Sequence, residues 1–205
     1  MPCYAIDDVV PVVDPSAYVH PTAVLIGDVI VGPDCFVGPA AVLRGDFGRI
    51  VLRRGANVQD TCVVHGFPRQ DTLIEENGHI GHGAVLHCCI VRRDALVGMN
   101  AVVLDEAEIG AEAMVAACAF VPAAMKVPPR TLVAGIPAKV RRELSDDEVA
   151  GKRAGTEVYQ ELTVRSLASM REVAPLAAVT PERRRLPVTK VDALVAGRAA
   201  PGRGA

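Results

Sequence analysis

Aliphatic residues recur every six positions through most of this chain, and that period restricts the fold more than any other feature. The first run is Val13, Val19, Leu25, Val31, Val37 and Leu43. Ala17, Ala23, Val29, Cys35 and Ala41, all small or β-branched, follow it four places behind. After a break the series resumes at Leu52, Val58 and Val64, then at Ile80 and Leu86. One residue is dropped, and Val91, Val97, Val103, Ile109, Val115, Val121, Val127 and Val133 continue it, with Ala95, Ala101, Ala107, Ala113 and Ala119 as small partners. A helix repeats every 3.6 residues and a hairpin strand every two, so neither explains the period. A short strand followed by a tight corner, repeated, does explain it, and period six is a β-helix signature. Gly32, Gly38, Gly81, Gly98 and Gly110 directly follow inward aliphatics and are expected to relieve the backbone where it bends.

The pattern resembles the left-handed parallel β-helix of hexapeptide-repeat proteins, in which three hexads close one triangular coil. The implied architecture is an all-β prism over residues 1–137. Half of the residues are hydrophobic, only 3% are aromatic and Trp is absent, which suits a narrow core of uniform aliphatic layers. Residues 138–174 are expected to form a C-terminal helix packed alongside. Ser145-Asp146-Asp147-Glu148 reads as a capping box that opens it. Val149, Val158, Leu162, Leu167 and Met170 are its expected apolar stripe, and it should end near Val173, before Pro175. Residues 175–205 read as a flexible or loosely docked tail.

The net charge of −2 argues against nucleic acid or an anionic membrane as an obligate partner. No apolar run reaches the roughly 18 residues of a membrane span. The first ten residues show no basic-then-apolar signal segment. The six cysteines contain no CxxC pair and read as small buried hydrophobes in a reduced, cytoplasmic protein.

His82 and His87 are five residues apart, and His65 lies seventeen before His82. Five fits neither a helical metal site nor one face of a strand. On the hexad register it turns a corner. His65 follows Val64 and His87 follows Leu86, so the two stack one coil apart. This count treats Gly66–Leu73 as an inserted loop. If Gly48–Ile50 is a second insertion, Arg44 lies one coil below His65. His82, third in its hexad, stands one coil above Asp60 on a different face. In a threefold assembly, His82 of one chain meets His65 and His87 of the next. Three neutral imidazoles with an open position suit catalytic zinc. The register therefore predicts a homotrimer with metal sites shared between subunits. His79 is expected to be solvated or to back a ligand, and His20 to be structural.

Arg44-Gly-Asp46, Asn57-Val-Gln59-Asp60, Val64-His65-Gly66 and Ile80–His87 occur in that order. Together they resemble the gamma class of carbonic anhydrases, most of all its branch found with phenylacetate and carnitine metabolism. The resemblance implies that His65, His82 and His87 bind Zn2+, or alternatively Fe2+ or Co2+. It implies an intersubunit Arg44–Asp46 salt bridge, Gln59 orienting the reactive water, Asn57 and Asp60 tuning the pocket, and Tyr159 as a pocket residue of the helix. The implied reaction is reversible hydration of CO2 to bicarbonate, a lyase activity carried by water that zinc converts to hydroxide. Phe47 stands where the best-known members carry a glutamate proton shuttle. Glu75 and Glu76 lie in a short loop nearby. Three alternatives stay open: a thioesterase acting on CoA esters in phenylacetate-type catabolism, an acyltransferase suggested by Gly135–Lys139, and a non-catalytic trimeric scaffold.

Overall fold

A computed structural model of the chain describes residues 2–186. Short parallel strands wind into a β-solenoid of about seven coils with three faces. One face stacks Val63–His65, Val85–His87, Val102–Val103 and Phe120–Val121. The next stacks Thr72–Ile74, Ile90–Val91, Glu108–Ile109 and Lys126–Val127. The third runs from Tyr18–Val19 up to Thr131–Gly135. Strand Val42–Leu52 passes through a corner and pairs with strands of both the first two faces. The predicted inward positions hold: Leu43, Val64, Leu86 and Val103 lie on one another in register and are fully buried. Their small partners, such as Ala95, Ala101 and Ala113, are fully buried too. Each coil thus buries one large and one small residue per face.

The glycines after the inward aliphatics serve a purpose other than the expected bend. None of Gly32, Gly38, Gly81, Gly98 and Gly110 has a positive φ, but a Cβ on any of them would lie 2.5–2.9 Å from the backbone of the next coil. They permit close stacking. The corners themselves use left-handed residues with side chains, among them Asp34, Asn77, Asp94 and Asn100 at φ 55–58°. Asn and Asp tolerate that region better than other residues with a Cβ.

The first insertion also lies elsewhere than expected. Gly27 pairs with Gly45 and Val29 with Ile50. The extra residues therefore fall within Asp46–Arg49, and Ile50, fully buried, belongs to the regular coil.

The chain leaves the solenoid through strand Ala138–Glu143, which pairs antiparallel with Thr131–Gly135. The expected helical segment from residue 138 therefore begins as a strand. The helix spans Asp146–Ser169, four residues shorter than expected at its end. Its capping box is present, with Ser145 Oγ accepting from Glu148 N and the Glu148 carboxylate accepting from Ser145 N. Its buried face matches the predicted stripe only in part: Val149 is buried and Val158 and Leu162 are half-buried, but Leu167 and Met170 are exposed, whereas Lys152, Thr156, Thr163 and Ser166 are buried. The reason is its surroundings. The helix runs past solenoid corners that present backbone carbonyls, so Lys152 donates to Asn77 O, Gln160 to Gly55 O and Thr163 to Cys35 O. Polar groups satisfy those carbonyls where apolar ones would leave them unpaired.

Residues 170–186 contain no helix or strand. The rest of the expected tail, residues 187–205, lies outside the described residues. No helix among the described residues is long and apolar enough to cross a membrane.

Candidate metal centre

Parallel pairing aligns Arg44 with His65, and His65 with His87, as the register required. The rings of His65 and His87 lie 5.0 Å apart, and His65 Nδ1 is 3.1 Å from His87 Nε2. Their other nitrogens are engaged: His65 Nε2 is 2.9 Å from Asp46 Oδ1, and His87 Nδ1 is 2.6 Å from Asp105 Oδ1. When both outer nitrogens donate to carboxylates, the inner two turn their lone pairs toward each other. A shared proton or a metal ion satisfies that arrangement. Tetrahedral zinc with Zn–N of 2.0–2.1 Å places neighbouring ligand nitrogens about 3.3 Å apart, close to the spacing here. Imidazoles backed by carboxylates are the usual form of such ligands. The donor chemistry of this pair therefore fits zinc.

His82 stands apart from them, at the corner after strand His79–Ile80. Its Nδ1 is 2.5 Å from Asp60 Oδ2, and its Nε2 is 3.4 Å from the Tyr159 hydroxyl. All three candidate ligands thus have one nitrogen on an aspartate. Among the described residues of one chain, no three His, Cys, Asp or Glu side chains gather as a metal site requires.

Arg44 and Asp46 are paired at 2.7 Å inside the chain, so the salt bridge expected between subunits is made within one. The insertion at Asp46–Arg49 allows it, since the bulge brings Asp46 to the His65 Nε2 edge. Burial pushes the Asp46 carboxyl up, but hydrogen bonds from Arg44 and His65 outweigh it and hold the group below the usual carboxylate range.

Gln59 and Asn57 are buried, as suits a pocket floor, but Gln59 faces His79. Its amide nitrogen is 2.7 Å from His79 Nε2 and donates to Asn57 Oδ1 at 3.0 Å. Of the two expectations for His79, to be solvated or to back a ligand, the first fails. Its Nδ1 is within 3.3 Å of both Asn57 and Thr156, and its ring stands edge-on to Tyr159. Burial, with the nearby Lys152 charge, pushes its pKa down to about 3, so it is neutral. Tyr159 packs on Phe36 as well, and burial followed by the charge of Asp60 pushes its phenol up to about 12. It remains a hydrogen-bond donor at neutral pH.

Phe47 lies exposed against His65, with ring centroids 5.6 Å apart. Glu75 is bound to Arg92 at 2.8 Å, away from the histidines. Asp105 was not foreseen from the sequence. One signal pointed to it: it lies eighteen positions after His87, one coil later.

Comparison with known proteins agrees with this architecture. The chain is 52% identical to carnitine operon protein CaiE of a Proteus strain over 186 residues, covering 91% of the chain and 94% of that protein. The Citrobacter koseri counterpart is 54% identical over the same shares. The chain belongs to the CaiE family. No protein-family model matches it. Among solved structures, the CaiE-family fold superposes on a Bacillus cereus protein provisionally assigned as an acetyltransferase, with TM-score 0.80 and 33% identity over 81% of this chain and 96% of that one. A hexapeptide transferase family protein from Anaplasma phagocytophilum gives TM-score 0.77 and 34% identity over 80% and 97%.

Proposed function

We propose that the chain is a gamma-carbonic-anhydrase-like enzyme that hydrates CO2 reversibly. In this reading His65 and His87 of one copy and His82 of a neighbour hold zinc, or iron or cobalt, in a cytoplasmic homotrimer. The observation that carries the reading is the convergence of His65 Nδ1 and His87 Nε2 at 3.1 Å, each ring backed by a carboxylate. Bound zinc lowers the pKa of its water to about 7. The protein's own groups supply orientation. Asp46 and Asp60 set the rings of His65 and His82, and the Tyr159 hydroxyl donates beside His82. The Gln59–Asn57–His79 network, with His79 uncharged, is a rigid neutral floor. Phe47 carries no proton, and Arg92 holds Glu75 away, so neither takes the shuttle's place and turnover is slow.

A second reading, hydrolysis of acyl-CoA thioesters at the same site, is favoured by one observation. A groove of about 420 Å³ lined by Leu96, Met99, Met114 and Leu132 ends at His82 and Tyr159. That is far more apolar space than CO2 needs. The names of the solved relatives speak for acyl transfer on the same scaffold.

Metal analysis of protein purified without chelator tests the site, with one metal ion per chain expected. Substoichiometric metal refutes it. Stopped-flow CO2 hydration, set beside hydrolysis and transfer assays on a panel of acyl-CoA esters, separates the reactions. Light scattering tests the trimer, with a mass three times the chain's 21.6 kDa expected.

A further inference from the structure

Asp105 lies at the corner after strand Val102–Val103, one coil above the end of strand Val85–His87. Leu86 pairs with Val103, and Glu106 N donates to Cys88 O, so Asp105 falls in the coil above at the level of His87. Its carboxylate is 2.6 Å from His87 Nδ1. The two side chains are only partly exposed, at 30% for His87 and 42% for Asp105. An ionised carboxylate only accepts hydrogen bonds, so a contact this short requires the proton on Nδ1. The other nitrogen, Nε2, is then the one that faces His65 Nδ1, where it can share a proton with that ring or bind a metal ion.

We propose that Asp105 is a positioning residue that holds His87 in its Nδ1–H tautomer and aims Nε2 at the point shared with His65. The hydrogen bond made by one ring nitrogen sets which nitrogen is free to bind. His87 sits at the end of a three-residue strand next to Cys88, whose φ is 46°. On the far side the ring is flanked by Phe67, 6.5 Å away, which packs without holding a tautomer. The consequence for metal rests on the zinc reading above, whereas the tautomer itself does not.

The test uses the full chain with and without zinc. In the metal-free protein at about pH 8, where an ordinary imidazole is neutral, nitrogen-15 NMR of the side chain reads the His87 tautomer. The parent should show the proton on Nδ1. Asp105→Ala, at a partly exposed corner whose backbone bond from Ala124 N is retained, should move population to the Nε2–H form. Zinc affinity, measured by chelator competition, should fall about 10- to 100-fold, the usual effect of losing such a partner. Asp105→Glu, which keeps a carboxylate, should recover part of both. An unchanged tautomer in Asp105→Ala overturns the proposal, as does zinc affinity equal to the parent's. A parent that binds no zinc sinks the metal reading, and the NMR result then decides the positioning role alone.

Discussion

Lys152 is the strongest test of how the helix is held against the solenoid. It is only 7% exposed, and its ammonium donates to the Asn77 carbonyl at 3.0 Å. Burial, partly offset by Asp94, pushes its pKa down from 10.5 to about 8. That displacement corresponds to about 3 kcal/mol of penalty on the charged form in the folded state. The direction follows from proton counting. Between pH 8 and 10.5 the unfolded chain keeps a proton on Lys152 that the folded chain has released. Stability from this group therefore rises with pH across that window, and the full penalty is present below it. Lys152→Met removes the charge and keeps most of the volume. It also leaves the Asn77 carbonyl without its donor, which costs about 1–2 kcal/mol. At pH 7 the variant should be more stable than the parent by about 1–2 kcal/mol. By pH 10.5 the parent should have gained about 3 kcal/mol on the variant and overtaken it. Urea unfolding followed by circular dichroism, run on both proteins from pH 7 to 10.5, measures the difference. The thiols of Cys35, Cys62 and Cys89, pushed up by burial, lose stability above pH 9. They are common to both proteins and cancel. A difference that stays constant with pH, or changes in the opposite sense, refutes the reasoning.

His82→Ala should abolish stoichiometric metal and leave the β-sheet circular dichroism intact, because its ring points outward from the solenoid; loss of that spectrum would contradict the assigned register. Gly98→Ala places a Cβ 2.6 Å from Ala117 N and 2.7 Å from Val115 O, so overpacking should lower stability by about 1–3 kcal/mol in urea titrations. Ser145→Ala removes the acceptor for Glu148 N and should cost about 1 kcal/mol, read as a lower unfolding midpoint.

Much of this molecule was legible before folding because a solenoid is periodic. A residue's place in its hexad dictates its face, and eighteen positions make one coil. The aliphatic core, the stacking of Arg44, His65 and His87, and the approach of Asp60 to His82 all follow from counting. The capping box was legible for the same reason, since its two hydrogen bonds join residues three apart. Other features depend on distances between coils, which no count supplies. The glycines after the inward aliphatics look like bend residues in sequence, yet the neighbouring backbone 2.5–2.9 Å from an added Cβ is what requires them. The bulge at Asp46–Arg49 decided that Asp46 meets His65 and its own Arg44. The helix decided that His79 is half-buried and neutral, by laying Thr156 and Tyr159 against it. Its buried face carries Lys152 and Thr163 because they donate to carbonyls at the solenoid corners. The eighteen-residue count puts Asp105 one coil after His87, but only the folded chain shows its carboxylate on Nδ1. Repetition along the chain determined which residues stack, while packing between coils and against the helix decided where their polar atoms point.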